Sequence, residues 1–575
     1  MKKTLSYLKS YKKECILAPL FKLLEACFEL FVPLVIADII DIGISGGNKG
    51  YVWGRVGILA LLAVCGLAFA ITAQYFAAKA AVGFASKLRH ALFTRIQSLS
   101  YADTDKLGTS TLITRMTADV EQVQQGVNMV LRLLLRSPFV VFGAAIMAFT
   151  VDAKSAVTFA VTIPVMSAAV MTIMLITIPL YKKVQAKLDS LLGITRENLS
   201  GVRVIRAFRK ENAEYERFVS TNGDLTRSQK FVGRISALMN PLTYVLINCG
   251  VIALIWVGAL RVNSGTISQG EVVALYNYMS QILVELVKLA MLIITLTRAV
   301  ACAKRVDGVL TTENSMTENG DKEQKHTVIG GDVEFDGVEL TYPEAGAPSL
   351  SGVNFYAPSG STVGVIGGTG SGKTSLVNLI PRFYDVTKGC VKVGRTDVQK
   401  LDAETLRKNI GIVPQRAALF KGTIRSNLLW GKEDATDEEL WEALKTAQAE
   451  NVALDKGGLD AEVEQEGRNF SGGQRQRLTV ARALVRKPKI LILDDSASAL
   501  DLKTDAALRE AISKLDYKPT VFIVSQRAAA VMNAQLIVVL DEGAVVGMGT
   551  HDELMKTCPA YEEIYSSQFK KEADR

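Results

Sequence analysis

The sequence predicts a membrane α-helical domain with six transmembrane helices, followed by an α/β domain built around a glycine-rich loop. Three observations lead there. Apolar residues make up 49% of the 575-residue chain and mean hydropathy is +0.21, yet the long apolar runs all fall before residue 300. A polar stretch, "TTENSMTENGDKEQKHTVIGG", follows Arg305 and reads as a linker. From about residue 332 short β-rich runs alternate with helical patterns, as a soluble α/β domain requires.

A spanning helix needs roughly 20 mostly apolar residues. Six stretches qualify: 15–44, 56–81, 127–151, 155–181, 236–261 and 271–300. The clearest is "VGILALLAVCGLAFAITAQYFAA". Buried helices of a large soluble protein are the alternative, but a charge-free run of that length has few soluble precedents. The basic start "MKKTLSYLKSYKKE" mimics a secretory signal. The apolar segment behind it is too long for one and lacks a small-residue cleavage site, so it is read as the first spanning helix.

Lys and Arg in the loops set the orientation. Lys2, Lys3, Lys9, Lys12 and Lys13, then Lys87, Arg89 and Arg95, then a dense set from Lys182 to Arg234 fall on one side. The opposite loops, "GISGGNKGYVWG", "VDAK" and "RVNSGTISQG", are nearly free of positive charge. Both termini are therefore expected in the cytoplasm, and the +8 net charge reads as topology rather than nucleic-acid binding. Cys15, Cys27, Cys65, Cys249, Cys302, Cys390 and Cys558 avoid the outer loops, so no disulfide is expected.

Residues 82–127 and 182–235 are too long for connectors. Folded back as hairpins with arms of about 23 residues, each reaches roughly 35 Å beyond the membrane. Their turns, near 103–111 and 213–222, are the natural contact points. Within the spans, ionisable residues are functional candidates by default. Glu25 and Glu29 share a face of the first helix and either pair between helices or attract cationic amphiphiles; Glu285 and Lys288 neutralise each other.

In "STVGVIGGTGSGKTSLVNLI" an apolar strand runs into a glycine-rich loop and a helix start. Gly367, Gly370 and Gly372 let backbone N–H groups close on phosphate oxygens. Lys373 reaches the β and γ phosphates, and the Thr374 hydroxyl suits Mg²⁺. "IGIVPQ" ends a strand at Gln415, whose amide is within reach of a metal or is only a loop residue. "KILILD" is a buried strand ending in Asp494, suited to hold Mg²⁺ through water. In "NFSGGQRQRLTVARAL", Ser471, Gly472 and Gly473 precede a basic helix, which is either a plain cap or a second anion-binding N-terminus.

Taken together, the glycine-rich loop, Gln415, the "SGGQ" segment, the strand to Asp494 and "SALD" at 498–501 resemble the ATP-binding cassette family. Six spans ahead of one cassette resemble a type IV ABC half-exporter. The resemblance implies a transmembrane domain over 1–306, a linker over 307–331 and a P-loop nucleotide-binding domain over 332–575, with coupling helices at the two turns. It implies ATP and Mg²⁺ as cofactors, with Gly367, Gly368, Thr369, Gly370, Ser371, Gly372, Lys373, Thr374, Ser375, Gln415 and Asp494 at the nucleotide. Tyr342 would stack on adenine, although a strand tyrosine is the plainer reading, and Asp501 would communicate between sites. Cassettes of this family pair head to tail, so Ser471, Gly472, Gly473 and Gln474 would complete the partner's site.

Two positions depart from the family pattern. Asp495 stands where the family has Glu to polarise the attacking water, and Gln526 stands where it has the switch His. Removing one methylene withdraws a carboxylate by about 1.5 Å, and misplacement of about 1 Å costs on the order of a hundredfold in rate. Glutamine bonds a γ-phosphate but carries no positive charge. The expectation is the degenerate-site subunit of a heterodimeric bacterial ABC exporter, in the cytoplasmic membrane, moving hydrophobic or amphipathic drugs, lipids or peptides outward. The alternatives are an ATP-gated regulator or channel and a homodimeric exporter with slow turnover. A soluble cassette ATPase is excluded by the spans, and an importer is disfavoured because its membrane and cassette parts are usually separate chains.

Overall fold

The computed structural model describes residues 2–316, 330–342, 345–496 and 499–573. Most of the expected linker, and Ser498 of "SALD", lie outside them. The chain divides into two compact units, 1–97 with 110–312 and 98–109 with 313–575.

The first unit is helical. Among the described residues five helical runs, Lys49–Ser98, Thr109–Val151, Ala153–Ser200, Glu211–Asn263 and Gln269–Thr311, are long and apolar enough to cross a membrane. The expected first span forms a helix, Lys12–Asp38, with Pro19 and Pro33 inside it. It does not meet the same test, because any 18-residue window in it contains Lys22, Glu25 and Glu29. The spans also run on past the lengths expected: Lys49–Gln97 is 49 residues, about 73 Å against a hydrocarbon core of roughly 30 Å. The third expected span is broken at Leu134–Leu135, between Val120–Leu133 and Arg136–Val151. Pro138 has no N–H to give the Leu134 carbonyl, so the ladder stops there.

The second hairpin does not turn at 213–222. That stretch lies inside the helix Glu211–Ala237, and the chain reverses over 201–210, through the short helix Val202–Ala207 and Arg209 at φ +50°. Asn222 and Gly223 read as a turn, but one glycine costs a helix only about 1 kcal/mol.

Three helices are tied by charge. Arg136, itself buried, donates to Glu285 and, at 2.6 Å, to Glu29, with Glu25 at 3.9 Å. Ser137 and Lys288 also donate to Glu285, at 2.7 and 2.8 Å. Buried charges demand such partners. Glu29 is thus paired between helices, whereas Glu25 accepts from Lys22 of its own helix at 2.5 Å, and Glu285 serves Arg136 as well as Lys288. Leu30, Ala144, Leu275 and Tyr278 of these three helices also pack with Phe159 and Leu254 in one apolar cluster.

The second unit is α/β. Its strands are β1 (Val333–Leu340), β2 (Leu350–Ala357), β3 (Thr362–Gly367), β4 (Lys388–Val393), β5 (Thr396–Asp397), β6 (Ile410–Val413), β7 (Gly422–Thr423), β8 (Glu462–Val463), β9 (Ile490–Asp494), β10 (Thr520–Ser525), β11 (Leu536–Asp541) and β12 (Ala544–Gly549). One sheet has the order β12-β11-β3-β10-β9-β6; an antiparallel sheet has the order β2-β1-β4-β5. In the first, all pairs but β11–β12 are parallel. Parallel strands are covered on both faces, which is why "ILILD" reads as unbroken burial. The register sets Val524 opposite Asp494 and Ser525 opposite Ile366. The ends of β3, β9 and β10 are therefore level, and the residues just beyond them meet at one edge, where open α/β sheets bind ligands.

Residues 98–109 pack within this unit. Ser100 caps the helix Tyr101–Leu107, and Gly108 at φ +74° ends it. Tyr101 stacks on Phe383 at 4.4 Å.

Candidate functional site

Beyond the C-terminal edge of β3, β9 and β10 lies a cavity of about 480 Å³ lined by Thr369, Gly370, Gly372, Lys373, Thr374, Ser375, Gln415, Asp494, Asp495 and Gln526. Gly370 and Gly372 sit at φ +82° and +95°, a region that L side chains avoid and glycine enters freely. This turn brings Lys373, the first residue of the helix Lys373–Leu379, back over the loop. Its ammonium donates to the carbonyls of Gly367 and Gly368 at 2.9 and 2.5 Å, with Ser371 Oγ at 3.4 Å. Burial lowers the lysine's pKa, opposed by the charges of Asp495 and Asp494.

Thr374 Oγ1 donates to Asp494 Oδ1 at 3.0 Å. A hydroxyl and a carboxylate at this separation are hard oxygen donors, and the site fits Mg²⁺ that takes its other ligands from water and phosphate. Burial pushes the Asp494 carboxyl above its ordinary range, the Thr374 bond works against this, and the Asp495 charge adds to it. Asp495 follows at φ +46°, its N–H donating to Val524 O at 3.0 Å. Its carboxyl is likewise pushed up by burial, and Gln415 and Arg527 oppose the shift.

Not all expected residues line this cavity. Gly367, Gly368 and Ser371 lie beneath Lys373. Tyr342 is joined to the helix Lys373–Leu379 by its hydroxyl, which donates to Ser375 Oγ at 2.9 Å, and its ring meets Tyr384 edge-on. Asp501 caps the helix Leu502–Ser513. Ser471 and Gln474 form a reciprocal capping box on the helix Gly472–Val485, and Gly472 lines a different cavity, with Gln415, Arg475 and Gln476. The "SGGQ" segment is therefore brought near its own Gln415 but not to its own glycine-rich loop.

Sequence reasoning missed one wall. Pro348, Ser349, Glu542 and Gly543 also line the cavity. A Cβ on Gly372 would meet Ser349 O at 2.8 Å, and one on Gly543 would meet it at 2.7 Å. The available signal was "DEGA", a turn between two apolar strands at 541–544.

Residues 15–286 match the family described as ABC transporter transmembrane region, and residues 350–498 match the family ABC transporter. An uncharacterised ABC transporter ATP-binding protein of Mycobacterium tuberculosis (strain CDC 1551 / Oshkosh) is 37% identical over 567 residues, covering 98% of this chain and 97% of that protein. YfiB of Bacillus subtilis (strain 168), also an uncharacterised ABC transporter ATP-binding protein, is 37% identical over 573 residues, with 100% and 99% coverage. YgaD of the same organism, a putative multidrug export ATP-binding/permease protein, is 30% identical over 580 residues, covering 99% of each chain. In fold, the chain matches a bacterial Atm1-family ABC exporter with ATP bound, at a TM-score of 0.81, 22% identity and coverage of 97% and 98%. With the glycine-rich loop, the buried Asp494 and a helical membrane region in one polypeptide, these likenesses lead to one conclusion: the chain belongs to the ABC transporter family, as an exporter-type fusion of a transmembrane region to an ATP-hydrolysing cassette.

Proposed function

We propose that this chain is one half of a heterodimeric exporter of hydrophobic or amphipathic substrates, holding a slow ATP site itself and completing a fast one on its partner. The observation that carries the reading is the composition of one cavity: Asp495 and Gln526 line it beside Lys373, Thr374 and Asp494, while Ser471 to Gln474 stand apart on their own helix. The two departures therefore fall on one nucleotide and the intact "SGGQ" on another. The putative multidrug export relative supports the substrate class, and the loop charges support a cytoplasmic cassette.

In this reading the glycine-rich loop and Lys373 bind the phosphates, and Thr374, Asp494 and Gln415 hold Mg²⁺. ATP with Mg²⁺ supplies a γ-phosphoryl group open to attack by water. Asp495 orients that water from a carboxylate about 1.5 Å short of a glutamate's reach, and Gln526 bonds the γ-phosphate without a positive charge. Tyr342 stacks on adenine. The helix Tyr101–Leu107 passes cassette motion to the membrane domain: Tyr101 stacks on Phe383, and Tyr384 donates to Asp105 at 2.7 Å.

The test co-expresses the chain with a second half-transporter bearing Glu and His at the matching positions. A Cβ at Gly472 meets nothing within 4 Å, so Gly472→Asp perturbs the ligand surface and not the fold. It should abolish turnover of the pair, whereas Asp495→Asn should cost less than threefold, on the order of half a kcal/mol. Full-speed ATPase from this chain alone would overturn the heterodimer.

A further inference from the structure

The C-terminal helix Pro559–Ala573 carries Tyr561, Ile564, Tyr565 and Phe569 at spacings of three and four, one apolar face. They pack into the cluster that holds Ile366 of β3 and Ala528 and Val531, just past Gln526. Gln568 falls in that same stripe, a polar side chain where the pattern calls for an apolar one. Both ends of its amide are matched. Oε1 accepts from the Ala528 N–H at 2.9 Å, and Nε2 donates to the Gln526 carbonyl at 2.8 Å. The rotated amide would set donor against donor and acceptor against acceptor, so its orientation is fixed.

We propose that Gln568 is a positioning residue for the nucleotide site. Its amide clasps the backbone on either side of Arg527 and so aims the Gln526 side chain into the cavity. The β10–β3 ladder ends at Ser525; beyond it the Arg527 N–H bond to Ser525 Oγ, at 3.0 Å, the Ala530 N–H bond to the Arg527 carbonyl, at 3.0 Å, and this clasp hold the turn as the short helix Ala528–Val531 begins. The C-terminal helix thus reaches a residue some forty positions upstream by chemistry that the apolar packing around it does not supply. The inference rests on the proposed placing of Gln526 at the γ-phosphate.

ADP lacks that phosphate, which gives the test its readout. The full chain, with its partner where it forms one, is photolabelled with 8-azido-ATP and Mg²⁺, and this chain's band is competed with AMP-PNP or ADP. Gln568→Leu keeps the apolar face and removes both bonds. It should lower the preference for AMP-PNP over ADP about fivefold, the worth of one hydrogen bond, with ADP affinity within about twofold of the parent. Gln568→Glu keeps the acceptor for Ala528 and loses the donor, and should show the same direction of change. Gln526→Ala is the reference. If it lowers the preference and Gln568→Leu does not, the positioning role is overturned. A parallel fall in affinity for both nucleotides in Gln568→Leu also overturns it, as mere loosening of the fold. No change in either variant overturns the placing of Gln526, and this inference with it.

Discussion

The side-chain amide of Gln415 reaches the carboxylate of Asp495, Nε2 to Oδ2, at 3.4 Å. That is a long bond, and it ties the short acid to the segment after β6. A glutamate at 495 would carry its carboxylate farther into the cavity. In a Gly472→Asp background, which in the proposed pair silences the other site, Asp495→Glu with Gln526→His should raise residual ATP turnover by tenfold or more, about 1.4 kcal/mol. Single-turnover hydrolysis of labelled ATP measures it, and an unchanged rate would mean that slow turnover has another cause.

Burial raises both Asp494 and Asp495 above the ordinary carboxylate value. A carboxyl raised in the folded state favours folding only below its ordinary pKa. That contribution fades as pH rises through the shifted value, so at neutral pH both acids cost stability. Asp494→Asn should therefore melt higher than the parent without nucleotide at pH 7, with the gap narrowing as pH falls, while Mg²⁺-dependent nucleotide affinity drops at least tenfold, about 1.4 kcal/mol. A melting temperature at or below the parent's would count against it.

Arg136 holds Glu285, which is 2% exposed, within the membrane domain. Removing one partner of a buried pair costs about 3–5 kcal/mol, because the remaining charge is left alone. Arg136→Met should thus lower the thermal stability of the detergent-solubilised protein, and adding Glu285→Gln should recover part of the loss. Equal stability of Arg136→Met and the parent would show that Lys288 and Ser137 suffice for Glu285.

Tyr384 touches both the helix Tyr101–Leu107, through Asp105, and the ring of Tyr342. Tyr384→Phe keeps the ring contact and removes the bond, worth about 1–2 kcal/mol. Substrate-stimulated ATPase should fall several-fold while basal ATPase stays level. Equal losses in both would place the effect at the nucleotide instead.

The cavity residues of the glycine-rich loop were legible because their chemistry is local: a glycine turn, a lysine and a hydroxyl in sequence, beside a strand edge that apolar runs mark. What escaped was made by tertiary approach. Ser349 and Glu542 belong to no motif and enter the cavity only because β2 and the β11–β12 turn converge there. Lys22, Glu25 and Glu29 interrupt the apolar run of the helix Lys12–Asp38; Lys22 answers Glu25 locally, yet the Arg136 that neutralises Glu29 comes from another helix, far away in sequence. The 201–210 reversal carries no Asn-Gly pair, and it turns on an arginine at positive φ instead.

Two glycines, 372 and 543, press on the single carbonyl of Ser349, each so close that a methyl group would collide with it. That side of the pocket has no latitude for variation, since any larger residue must displace main chain. Room for change in this pocket lies instead with its side chains, among them the aspartate at 495 and the glutamine at 526.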